Sequence, residues 1–107
     1  MSRTDAERLG DALMHVDVAV RYSASEPLDQ KTIDAIRLRI SAGIDSLHGL
    51  AERTRTLLLG DIWPQMWGMR NRIAHSYALV EQEVIVATVA ADIPMIRAHI
   101  HHALRAP

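Results

Sequence analysis

Arg70, Asn71, His75 and Tyr77 lie within a single short stretch of this 107-residue chain, and their side chains are of the kinds that handle anions. A guanidinium stays charged at any physiological pH and presents a planar fork of donors that fits a carboxylate or a phosphate. Imidazole takes or gives a proton near neutrality. An amide at Asn71 can orient an imidazole or donate to the same anion. The bland reading stands beside this one: an arginine and a histidine near a helix end also serve as a capping cation and a satisfied polar side chain. Both tryptophans and two of the five methionines share the stretch. Trp63, Met66 and Trp67 at helical spacing read first as a packing cluster, and only second as a platform for bases.

The elements that must position these residues follow from local signals. Asp61 is a suitable N-cap and Pro64 falls in the first turn, where its missing N–H costs little, so a helix is predicted from there to about His75. On such a helix Trp63 and Trp67 share a face, as do Asn71 and His75, and Arg70 and Tyr77 nearly eclipse. Arg70 and His75 diverge by roughly 140°. Their convergence on one small anion requires either that the helix loosen near His75 or that a second copy of the chain supply the complement.

Trp63, the run Gly68-Met69-Arg70-Asn71, the spacing Arg70-x4-His75-x-Tyr77 and the later Asp92-Ile93-Pro94 together resemble the HEPN superfamily in its HepT-like form, the toxin ribonucleases of prokaryotic toxin–antitoxin pairs. A bare Arg-x4-His is common, whereas the combination is fairly specific. The resemblance covers the second half of the chain by motif and the first half by helical pattern. Relatives often carry an acidic residue in a Gly-Glu-Ala segment of the second helix, where this chain reads Ala42-Gly43-Ile44-Asp45.

The resemblance implies a metal-independent endoribonuclease in which the ribose 2′-OH attacks the adjacent phosphate. Arg70 and His75 would be catalytic, Asn71 supporting, and Tyr77 the residue to which a partner minimal nucleotidyltransferase, the antitoxin, attaches AMP. It also implies a homodimer, no cofactor and RNA as substrate. The alternative is a non-catalytic helical subunit that binds a nucleotide or docks on the nucleotidyltransferase.

Composition sets the outer bounds. A chain of this length forms one domain with a modest core, near the size at which dimerisation adds usefully to buried area. With 49% hydrophobic and 23% charged residues it has the balance of a globular protein. The net charge of −1 draws no polyanion globally, so any RNA contact must come from a local patch. Eleven of the twelve basic residues are arginine, which suits phosphate contacts and equally a compositional bias. Zero cysteines exclude disulfides and thiolate metal sites. No apolar run near 20 residues and no leader is read, so a cytoplasmic location without membrane contact is expected. His99, His101 and His102, with His15 and His48, lack the carboxylates to complete a metal shell, and no metal is expected.

Along the chain, Thr4 to Glu7 has the form of a capping box. Leu9, Leu13, Val16 and Val20 follow at helical spacing, and Ser23 to Pro27 reads as a loop. Asp29 is a second N-cap ahead of Ile33, Ile36, Ile40, Ile44 and Leu47, with Gly43 marking a close helix approach. A restart is expected after His48-Gly49, a patch at Leu57-Leu58-Leu59 and a stop at Gly60. Leu79 and Val80 lead to Glu81, Gln82 and Glu83 at a further helix start. Val86, Val89, Ile93, Ile96, Ile100 and Leu104 form the last stripe, with a kink near Asp92. The fold class is all-α, an antiparallel bundle of four to five helices.

Overall fold

The structure, a computed structural model, describes residues 2–24, 28–75 and 82–105, with the backbone alone at His75. Tyr77, Leu79, Val80, Glu81 and the end of the expected loop at 25–27 lie outside the described residues. Among the described residues every element is helical, as the apolar spacing predicts.

Helix α1 (Arg3–Ser23) starts at Ser2, whose Oγ accepts the Asp5 N–H at 3.0 Å. The cap therefore lies two residues before Thr4, and the reason is tertiary. The buried Asp5 carboxylate accepts the Ala51 N–H at 3.1 Å and the Thr54 hydroxyl at 2.7 Å, tying the head of α1 to the distant break after the second helix. Glu7 is left to pair with Arg3 on the surface.

Helix α2 (Gln30–His48) is capped by Asp29, which accepts the Thr32 N–H at 2.8 Å. Its stripe, Ile33, Ile36, Ile40, Ile44 and Leu47, is at most 2% exposed. It packs antiparallel on α1, and the close approach expected at Gly43 is present: a Cβ there would lie 3.2 Å from Val16 Cγ1 and 3.5 Å from the Ala12 carbonyl oxygen. Helix α3 (Glu52–Leu59) has no capping side chain of its own at Ala51, whose N–H Asp5 serves instead. Three successive leucines cannot share one helical face. Leu59 is buried and Leu57 is 79% exposed.

Gly60 closes α3 at φ +48°, a backbone conformation that side chains rarely adopt. Helix α4 (Ile62–His75) follows with Pro64 in its first turn, burying Met66, Met69 and Ile73. Its backbone stays α-helical as far as His75, so the loosening that would swing His75 toward Arg70 does not occur up to that residue.

Helix α5 (Gln82–Ala87), a π turn (Thr88–Asp92) and helix α6 (Ile93–Arg105) form one continuous helix. The irregularity expected near Asp92 takes the form of a π turn that ends at that residue. A hydrogen bond from the Ile93 N–H to the Thr88 carbonyl spans five residues rather than four, which inserts one residue into the helical repeat. The apolar face then slips by one position: Ile85, not Val86, enters the core with Val89, Ile93, Ile96 and Ile100, while Val86 is 40% exposed. Leu104 also falls outside the core. By length and hydropathy alone this helix could cross a membrane, contrary to the reading of apolar runs, but its five apolar anchors are committed to the bundle core.

Two outcomes follow for stability. Gly60→Ala is expected to lower the unfolding free energy by about 1–3 kcal/mol, read from urea melts, because the backbone there is one that a Cβ opposes. Acid sensitivity should come in two stages. Burial, then the Arg39 guanidinium, lowers the His15 pKa below its ordinary 6.5. The folded state binds fewer protons at His15 than the unfolded chain, so stability declines as pH falls from 6.5 through the folded value. The Thr54 hydroxyl and the Ala51 N–H hold the Asp5 carboxyl below 3.8, and the Thr32 backbone N–H does the same for Asp29. The stabilisation they give is complete above 3.8 and is lost as pH falls through the folded values. His15→Gln should flatten the first stage, and Asp5→Asn should reduce the second to the share of Asp29.

Candidate functional site

Helices α2 and α4 lie side by side in opposite directions, so residues ascending on one meet residues descending on the other. Each pair at the seam is made by the residue following a buried one. Asp45 follows Ile44 and His48 follows Leu47; Trp67 follows Met66 and Arg70 follows Met69. A step of about 100° past the core face carries each side chain to the rim of the helix contact. The pattern that buries the core thus also places the polar rim.

At one level of this seam Arg70 meets Asp45. Nε donates to Oδ1 at 2.8 Å and Nη2 to Oδ2 at 3.4 Å, the two-pronged geometry peculiar to a guanidinium and a carboxylate. Nη1 donates to the Asn71 Oδ1 at 3.3 Å. The guanidinium carbon also stands 5.1 Å from the Trp67 ring centroid, a cation–π contact. Arg70 keeps 25% of its side chain exposed and Asp45 47%.

One helical turn away His48 lies on Trp67, with ring centroids 4.4 Å apart and planes 17° from parallel. Trp63 completes a triangle of rings at 5.7 Å from Trp67 and 6.0 Å from His48. Arg55 covers Trp63 at 5.1 Å and donates to the carbonyls of His48 and Leu50 at 2.8 and 3.3 Å. In the other direction Arg37 donates to the Ile73 carbonyl at 3.0 Å, steadying the last turn of α4. There the seam opens into a groove between Leu38 and Ser41 of α2 and Ile73 and Ala74 of α4, with Asp45 and Arg70 at its head.

Of the residues expected at the site, Arg70 and Asn71 are brought together. His75 ends α4, five residues and roughly 140° round the helix from Arg70. Tyr77 lies outside the described residues. The tryptophans are half-buried and packed against the core, as expected, yet they also carry an imidazole and two guanidinium groups. Sequence reasoning missed His48, treating it as an isolated histidine, and left the role of Asp45 open. A signal was present: both stand one residue past a member of the α2 stripe. Among the described residues no cluster of three or more His, Asp or Glu could hold a metal ion.

The described residues thus form an all-helical bundle in which a quarter-exposed guanidinium, clamped by a carboxylate and backed by an indole, stands at the head of an open groove. The chain belongs to the Ribonuclease HepT-like family, whose model matches residues 9–103. No curated protein and no solved structure matches it.

The Asp45–Arg70 pair is partly in water, so its contribution to stability is small, about 0–1 kcal/mol. Asp45→Asn is therefore expected to shift urea melts, followed by tryptophan fluorescence, by no more than about 1 kcal/mol. A larger loss would mean that the pair holds α4 on α2.

Proposed function

We propose that this chain is the toxin of a prokaryotic toxin–antitoxin pair, a cytoplasmic endoribonuclease that works without a metal and acts as a homodimer. The observation that carries the reading is the presentation of Arg70: charged, a quarter exposed, and fixed at the head of a groove by Asp45 and Trp67. Family membership supports RNA as the substrate. The 2′-oxygen attacks phosphorus, the bond to the 5′-oxygen breaks, and the products are a 2′,3′-cyclic phosphate and a 5′-hydroxyl. Arg70 holds the charge that grows on the non-bridging oxygens. His75 takes the proton of the 2′-hydroxyl. Asn71, already bonded to Arg70, supports the guanidinium in this orientation.

Two-fold association answers two needs at once. It brings a His75 from the second copy toward an Arg70 that its own helix turns away from it, and it doubles the positive charge along the RNA. Regulation follows at Tyr77, where a minimal nucleotidyltransferase attaches AMP. The added phosphate, seven residues on from Arg70, would occupy the place of the RNA phosphate.

Purified protein incubated with RNA in EDTA tests the reading. Wild type should cleave, and Arg70→Ala and His75→Ala should each lower the rate by about a hundredfold or more. Cleavage surviving both substitutions would place the chemistry elsewhere, and an inactive unmodified wild type would favour the nucleotide-binding or docking subunit. With the nucleotidyltransferase and labelled ATP, wild type should take up AMP and Tyr77→Phe should not.

A further inference from the structure

Cleavage of this kind needs two proton transfers, one from the 2′-hydroxyl and one to the departing 5′-oxygen. Attacking and leaving oxygens stand in line on opposite sides of phosphorus, so one imidazole cannot reach both well. The family motif supplies one histidine. Within a single protomer a second imidazole, that of His48, shares the Trp67 ring with Arg70.

His48 is exposed and ends α2 three residues after Asp45, and so lies on the same face one turn further along. Trp67 stands in the same relation to Arg70 on α4. Both groups touch one indole: the His48 ring centroid lies 4.4 Å and the Arg70 guanidinium carbon 5.1 Å from the Trp67 ring centroid, so the two stand within about 10 Å of each other. That interval suits a phosphodiester with its non-bridging oxygens on the guanidinium and a bridging oxygen at the imidazole. The ring is not loose: one side rests on Trp67 at 4.4 Å, and Arg55 fixes the His48 carbonyl beneath it.

We propose that His48 is a catalytic residue of the ribonuclease, the general acid that protonates the leaving 5′-oxygen. This rests on the reading given under Proposed function and deepens it. The His48 imidazolium gives its proton to the 5′-oxygen as the P–O5′ bond breaks. His75 of the second copy takes the 2′-hydroxyl proton as the new P–O bond forms, so no net proton is gained or lost. Acid and base then come from different copies of the chain, as attack and departure on opposite sides of phosphorus require.

The test uses the full-length protein in EDTA and an oligoribonucleotide that wild type cuts at a mapped linkage. It is compared with the same oligonucleotide carrying sulfur in place of the 5′-oxygen at that linkage, since a thiolate leaves without a proton. His48→Phe keeps an aromatic ring on Trp67 and removes the proton; His48→Ala removes both. Both variants should cut the all-oxygen RNA about a hundredfold to ten-thousandfold more slowly, and both should cut the sulfur-substituted RNA within about tenfold of wild type. Arg70→Ala should be slow on both. Wild-type rates for His48→Phe on the all-oxygen RNA, or an equal loss on both substrates, would overturn the assignment. Failure of wild type to cut any RNA would instead remove the ribonuclease reading, and this proposal with it.

Discussion

Burial of one face of α2 is the constraint on which the rest of the structure depends. Its five apolar side chains are almost wholly removed from water while the helix contacts α1, α4 and α5. At roughly 1.5–3 kcal/mol for each large aliphatic side chain, such a stripe outweighs any polar contact at the rim. It cannot rotate by one residue without exposing that surface. The rotation of α2 about its axis is therefore set by hydrophobic burial, and Asp45 and His48 go where that rotation sends them. The close approach at Gly43 fixes how near α1 can come on the opposite side.

Strength and role are differently distributed at the seam. The Asp45–Arg70 pair contributes little to folding because water competes for both charges, yet its two-pronged geometry removes the freedom of a long side chain. Two carboxylate oxygens on Nε and Nη2 occupy the donors that a phosphate would use. Any anion approaching Arg70 would thus meet a guanidinium already held in a bidentate geometry, and would have to displace or share the carboxylate that holds it.

Much of this was legible in the residue order, and the exceptions have physical causes. The stripe of α2, the Asp29 cap, the break at Gly49, the stop at Gly60 and the helical class all follow from spacing and backbone chemistry close in sequence. Thr4 lost the capping role to Ser2 because Asp5 has partners at residues 51 and 54, a relation no local window contains. Ile85 displaced Val86 because one π turn offsets every earlier position, and a rule of 3.6 residues per turn cannot anticipate the extra residue. Arg70 and Asn71 stood out as candidates from their types and spacing. Asp45 and His48 did not, since their significance lies in the partners that α4 brings from some twenty residues away.

The arginines at the two helix ends bear on the same site in another way. His48 is the last residue of α2 and His75 the last of α4, so each stands at the negative pole of a helix dipole, where unpaired carbonyls would repel a polyanion. Arg55 takes up the His48 and Leu50 carbonyls and Arg37 the Ile73 carbonyl. Two of the chain's eleven arginines thereby mask backbone charge at the ends of two helices, so that less of the negative pole of each is left open to solvent.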